Sequence, residues 1–295
     1  TLNIFSNDIK SVDLDLLYNK AKQLLKDGAS SIALLLDDIP DNFKNKFGHQ
    51  ISEGTCHAIL VNELSKKLGQ SIYFVPRIYA DELIKDEPNY LLDLSIILNN
   101  DINVFYCGKN VIAKNISNYS KIKKFLPNKI IYWDNYYAND YCPRRFFIGP
   151  YIGRSKLKNI MINPTGLINT DLLILDIIAK TKILKNPIRV WLEILGEHGV
   201  PIIFNKIKKF FLKPDFGSDP SLIAIKVDYK HMEILEFLLW SWKGKLSREW
   251  YPYLFGLKHD LQINQRKLTS ERIIKTQTIP LSEYVIKKLN KGELR

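Results

Sequence analysis

Over the first two-thirds of the chain, short apolar runs alternate with stretches whose apolar residues recur at helical spacing. The runs are "SIALLL" (31–36), "SIYFVP" (71–76), "INVFYC" (102–107), "KIIYW" (129–133) and "NIMIN" (159–163). Each has the length of a buried strand, and each stops at an Asp, a Pro or a Gly. Between them, Leu14, Leu17, Ala21, Leu24 and Leu25 share one helical face, with Ser11 placed to cap its start and Gly28 to end it. Ala58, Val61, Leu64 and Leu68 form a second stripe closed by Gly69. Leu91, Leu94 and Leu98 form a third near Pro88, and Leu172, Leu175 and Ala179 a fourth.

Strand–helix alternation of this kind predicts a parallel sheet with helices outside it. Polar residues gather just past the strand ends: Asp37 and Asp38, Tyr79, Asn135 through Asp140, and Asn163. Ligands bind at that edge in parallel α/β folds, as in a (β/α) barrel. A Rossmann-like open sheet is the competing layout, but the glycine-rich phosphate loop it needs is not found. After residue 183 the rhythm changes to aromatic and Lys-rich helical segments such as "IRVWLEILGEHG" and "HMEILEFLLWSWKG". The chain is therefore expected to divide into a (β/α) domain over 1–183 and a helical region over 184–295. Trp240 and Trp242 are expected in the helical core, and "ERIIKTQTIPLSEYVIKKL" to add one more helix after Pro280.

At 295 residues and 46% hydrophobic composition, the chain can bury a sizeable core. No apolar run is long enough to span a bilayer, and "TLNIFSNDIK" lacks the order of a signal peptide. Cys56, Cys107 and Cys142 are odd in number and scattered, as are the five histidines, which argues against a disulfide framework, a metal site or a bound cofactor. These features point to a cytosolic setting. The net charge of +12 concentrates in "KIKKF", "KIKKFFLK" and "KKLNKGELR". Nucleic acid or an anionic surface would use such patches, but solvated faces explain them more simply, since Lys outweighs Arg and no nucleic-acid motif accompanies them.

Asp37 and Asp38 are the first candidates for chemistry. Two adjacent carboxylates repel, so one tends toward a raised pKa and can serve as a general acid. Taken alone, "DDIPDN" is explained more simply as a turn and helix cap. In "YWDNYYAND" (132–140), Trp133 offers a flat apolar face beside Asn135 and Asp140, the combination that a sugar's C–H face and hydroxyls want. A strand end followed by turn formers would look the same. Asn163 in "NPTG" and Tyr79 in "PRIYAD" carry the same ambiguity singly; their joint position at successive strand ends favours a shared site.

These segments together resemble glycoside hydrolase family 84, the family of O-GlcNAcases and bacterial β-N-acetylglucosaminidases. The matching stretches, in the family's order, are "FSN", "SIALLLDDIP", "CHAILVNEL", "FVPRIY", "VFYCGKNV", "WDNYYANDY", "GPYIGR" and "NPTG", spanning residues 1–180. The resemblance implies a (β/α)8 TIM-barrel type, here as its last five β/α units followed by the helical region. The family's first three strands, with a Gly-Tyr-Gly-type turn and a Lys that contact the sugar, precede the position of "LNIFSN", so the resemblance implies either a fragment or a chain that has lost that half and with it much or all of the activity. Thr165 stands where the family more often has Asn.

The resemblance also implies a retaining, substrate-assisted hydrolysis of terminal β-linked N-acetylglucosamine, without metal or cofactor. Asp37 would orient and polarise the acetamido group, and Asp38 would protonate the leaving oxygen and then activate water. Tyr79 and Trp133 would line the acetamido pocket with Asn135 close by, while Asp140 and Asn163 would bind sugar hydroxyls. The implied partner is a glycan or glycoprotein bearing N-acetylglucosamine. Two alternatives stand beside it: a non-catalytic module binding N-acetylglucosamine, and a basic nucleic-acid- or surface-binding protein.

Overall fold

The structure, a computed structural model, describes residues 11–37, 39, 51–113, 122–126, 130–139, 147–154, 157–182, 184, 187–212, 228–264 and 291. The chain forms two compact units, Thr1–Asp134 with Leu157–Met161, and Asn135–Lys156 with Ile162–Arg295. Each is taken by itself.

The first unit is built on the five expected strands, β1 Ala33–Leu35, β2 Tyr73–Val75, β3 Asn103–Tyr106, β4 Ile130–Asp134 and β5 Ile160–Ile162, in the sheet order β1-β2-β3-β4-β5. The three pairings from β1 to β4 are parallel. The Tyr132 N–H donates to the Asn159 carbonyl, tying β4 to the chain entering β5. Sequential parallel strands need crossover connections, and the helices supply them: α1 Ser11–Lys26 precedes β1, α2 Glu53–Leu68 links β1 to β2, α3 Tyr90–Ile97 links β2 to β3, and the short α4 Ile122–Phe125 lies between β3 and β4.

Alternation along the strands decides which residues meet the helices. Leu34, Phe74, Val104 and Ile130 stand side by side in register, and all are buried with Val61 and Leu64 of α2 and Leu91 and Leu94 of α3. On the opposite side, at the sheet edge, Leu35 is 52% exposed. Ser52 caps α2 by accepting from the Thr55 N–H, and Gly69 ends it in the left-handed conformation at φ 67°, its N–H turned back to Lys66. A Cβ added to Gly54 would lie 2.3 Å from the Tyr90 carbonyl oxygen, so glycine lets α2 and α3 cross closely.

The second unit is helical over its described C-terminal part: α5 Ile168–Thr181, α6 Pro187–Glu197, α7 Tyr229–Trp240 and α8 Lys245–Asn264, with 3₁₀ turns at Ile202–Lys206 and Lys208–Phe210. Its core holds three buried tryptophans, and each indole N–H finds an acceptor, as a buried indole requires. Trp191 donates to the Ile148 carbonyl, Trp242 to the Gly199 carbonyl and Trp250 to Thr170 Oγ1. Trp240 corrects the expectation. It is 53% exposed, because it closes α7 on the solvent side and donates to Glu236 one turn back, while Trp242, beyond the helix end, turns inward. The helix expected after Pro280 lies outside the described residues. Among the described residues, no helix is long and apolar enough to cross a membrane.

Candidate active site

Asp37 sits two residues past β1. The preceding Leu36 is fully buried, and its N–H donates to the Val75 carbonyl at 2.9 Å, so the exit from β1 is held against β2 and Asp37 emerges half-buried at that edge. Asp38, its expected partner, lies outside the described residues.

Tyr79 belongs to the loop that leaves β2. Its carbonyl accepts the Cys107 N–H at 2.7 Å, Ala80 bridges to Gly108, and the Asp81 N–H donates to the Gly108 carbonyl at 2.8 Å. The loop therefore runs on beside the chain leaving β3. The result brings Tyr79 to Trp133, the penultimate residue of β4: the two rings lie 6.2 Å apart, tilted by 42°. Phe105 also sits 6.2 Å from Trp133 and stacks on Tyr73 at 5.6 Å. A row of aromatic rings thus crosses this side of the sheet, ending in Tyr79 and Trp133, both half-buried. Such rings offer a sugar apolar faces to pack on.

Within the second unit, Asn135 immediately follows β4. Its backbone carbonyl accepts the Ala138 N–H, forming a turn, and its buried side-chain oxygen accepts from Asn163 Nδ2 at 3.2 Å. Asn163 leads the loop between β5 and α5, and two carboxylates hold that loop. Asp171 accepts from the Thr165 N–H at 2.9 Å, the Thr165 hydroxyl at 2.6 Å and the Gly166 N–H at 3.1 Å. Thr165 thus has a structural task here. Glu249 of α8 accepts from both the backbone and side chain of Asn169 and of Thr170, capping α5. Burial alone would raise the Glu249 carboxyl, but these four bonds outweigh it and its pKa is lowered. Asp140 lies outside the described residues.

The other aromatics of "YWDNYYAND" build the scaffold. Tyr136 and Tyr137 are buried; the Tyr137 hydroxyl donates to the Gly149 carbonyl at 2.8 Å, and its ring stacks on Tyr151 at 5.8 Å. The buried Arg154 guanidinium lies 4.4 Å from the Tyr136 ring. "GPYIGR" therefore serves to lock the segment after Asn135.

Sequence reasoning missed a buried polar network in the first unit, formed by Glu53, His57, Arg77 and Tyr90. Arg77 donates through Nε and Nη2 to the two oxygens of Glu53 at 2.6 and 2.5 Å. The Tyr90 hydroxyl lies 2.7 Å from His57 Nδ1 and accepts the Arg77 N–H at 3.1 Å. Burial first, then the Arg77 charge, pushes His57 down to about 3. Burial, aided by Glu53, raises the Cys56 thiol to about 11, which makes it a poor nucleophile. An arginine inside "YFVPRIY" was the available signal. Among the described residues, no group of three or more His, Cys, Asp or Glu could hold a metal ion. A cavity of about 580 Å³ in the helical unit, walled by Ile188, Leu192, Val200, Ile202 and Phe204, contains none of the expected site residues.

A family model described as beta-N-acetylglucosaminidase matches residues 4–170. The chain is 30% identical over 167 residues to the protein O-GlcNAcases of Rattus norvegicus and Mus musculus, an alignment covering 52% of this chain and 18% of each relative. It thus spans less than a fifth of their length. Among solved structures, a mutant form of the O-GlcNAc hydrolase of Thermobaculum terrenum aligns with a TM-score of 0.54 at 19% identity, over 96% of this chain and 63% of that one. CpGH84B aligns with a TM-score of 0.58 at 16% identity, over 98% and 58%. At such identities the likeness is one of fold, and the parallel sheet with its helices matches part of a (β/α) barrel.

Proposed function

The chain belongs to the beta-N-acetylglucosaminidase family, glycoside hydrolase family 84, and on that premise we propose that it acts on terminal β-linked N-acetylglucosamine by retaining, substrate-assisted hydrolysis. The observation that best supports this is the meeting of Tyr79 and Trp133, from the ends of different strands, at 6.2 Å. Two adjoining aromatic rings offer an acetamido methyl group an apolar surface to pack against.

In this reading the acetamido oxygen attacks the anomeric carbon, the bond to the leaving oxygen breaks, and Asp38 supplies the proton that oxygen needs. Asp37 accepts a hydrogen bond from the amide N–H and stabilises the positive charge that grows as the oxazoline forms. Water, deprotonated by Asp38, then attacks the same carbon, reopening the ring with retained configuration. An internal nucleophile replaces an enzymic one, so two carboxylates with separate tasks suffice. Asn135, Asp140 and Asn163 take sugar hydroxyls or the amide by hydrogen bonds.

The folded chain is assayed on an aryl β-N-acetylglucosaminide and titrated calorimetrically with N-acetylglucosamine. Turnover with retention, slowed when the acetyl group carries fluorine and its oxygen becomes a weaker nucleophile, is the expected result. Saturable binding without turnover identifies a non-catalytic saccharide-binding module instead. Neither binding nor turnover overturns the reading, and the basic patches, tested by salt-dependent nucleic-acid binding, then become the leading explanation.

A further inference from the structure

Between β2 and the 3₁₀ turn at Asp81–Asp86 the chain passes through Arg77, Ile78 and Tyr79. Arg77 is 7% exposed and Glu53, the first residue of α2, is 5% exposed, and the guanidinium meets the carboxylate through two parallel bonds. Arg77 is held a second time through its backbone, by the Tyr90 hydroxyl. The same hydroxyl lies 2.7 Å from His57 Nδ1, which ties the His57 ring into the network.

A buried ion pair is a poor source of stability, because desolvating both charges cancels much of their attraction. It is a good source of orientation, because a bidentate fork admits one geometry. The segment it orients ends, two residues on, at Tyr79. Tyr79 is fixed on its other side by its carbonyl bond from Cys107, and its ring faces Trp133. The Glu53–Arg77 fork and the Cys107 bond thus bracket the loop between them.

We propose that Glu53 and Arg77 are positioning residues that set where the Tyr79 ring stands opposite Trp133, and thereby which N-acyl groups the pocket admits. The inference rests on the N-acetylglucosaminidase reading. A pocket built around a methyl group discriminates against one added methylene by about 10–200-fold, and loosening the Tyr79 wall removes that discrimination before it removes binding.

The test compares affinities for N-acetylglucosamine and N-propionylglucosamine, by calorimetry, in the wild type, R77K and the double variant E53M/R77M. Thermal unfolding checks that each is folded; the double variant removes both charges together and so leaves none stranded. The expected result is a strong acetyl preference in the wild type, falling about tenfold or more in the double variant and partly in R77K, which keeps the charge and loses the fork. An unchanged preference in folded variants overturns the proposal and assigns the pair to stability alone. Should the double variant fail to fold, R77K decides by the same ratio. A wild type that binds neither sugar overturns the parent reading, and this one with it.

Discussion

Asn163 Nδ2 donates to Asn135 Oδ1 across 3.2 Å, joining the first residue past β4 to the first residue past β5. The bond sets the orientation of both amides, since the oxygen of Asn135 must face Asn163. If both amides serve a sugar, N163A removes one contact and unfixes the other. Weakening of N-acetylglucosamine binding by about tenfold is expected, the worth of roughly one good hydrogen bond. Asn163 is only half-buried, so the melting temperature should hardly move. Unchanged affinity in calorimetry would remove Asn163 from the site.

The two aspartates after β1 should separate by leaving group. The value of kcat/KM reports steps up to the first irreversible one, here departure of the aglycone. D38N removes the proton donor, so alkyl glycosides should lose about 10²–10⁴-fold while activated aryl glycosides lose little. D37N weakens the oxazoline-forming step whatever the leaving group, so both substrates should lose alike. Equal losses at both positions, independent of leaving-group pKa, would contradict these roles.

The strands were legible because each is a short apolar run stopped by a Pro, a Gly or an Asp; β1, β2, β3 and β5 lie inside the runs read from sequence, and β4 passes the end of its run by one residue, Asp134. Tyr79 and Trp133 were legible for the same reason, since strand ends in a parallel sheet share one edge. The long helix α8 was not. Its Leu246, Trp250, Leu254, Leu257 and Leu261 keep helical spacing and are buried, but Pro252 and Gly256 interrupt the pattern as breakers would. Pro252 is tolerated on the exposed side of the helix. The Glu53–Arg77 pair was illegible in a different way. Its members are 24 residues apart on separate elements, and whether a charge is buried is decided by packing, not by local sequence. In "WDNYYAND", composition could not say which aromatics face a ligand; Tyr136 and Tyr137 are held inside by the backbone carbonyls that accept their hydroxyls.

Glu249 should matter for the Asn163 loop although it lies on α8. Its carboxylate accepts four bonds from the first turn of α5, two of them from backbone N–H groups that would otherwise lack a helical acceptor. E249Q keeps the size but offers a single uncharged acceptor oxygen. A loss of about 1–3 kcal/mol in urea unfolding is expected, together with weaker saccharide binding, because the loop that presents Asn163 is no longer clamped. A variant as stable as the wild type would show that Asp171 alone holds the loop.

His57 should make the fold acid-sensitive well above the range where carboxylates dominate. The ring is completely buried, faces Tyr90 through Nδ1 and Glu53 at 3.9 Å through Nε2, and lies near the Arg77 charge, so its pKa falls from the ordinary 6.5 to about 3. A lowered folded-state value means that between these two the unfolded chain binds a proton that the folded chain does not. Stability from this group is therefore complete above pH 6.5 and declines as the pH falls toward 3, by about 1.4 kcal/mol per unit at most. H57N keeps an acceptor for the Tyr90 hydroxyl and cannot titrate. Urea unfolding near pH 7.5 and near pH 5 should show the wild type losing about 2 kcal/mol more than H57N over that interval, with carboxylate effects common to both cancelling. Parallel losses would mean that His57 takes up its proton in the folded protein as it does in the unfolded chain, with Nδ1–H donating to the Tyr90 hydroxyl.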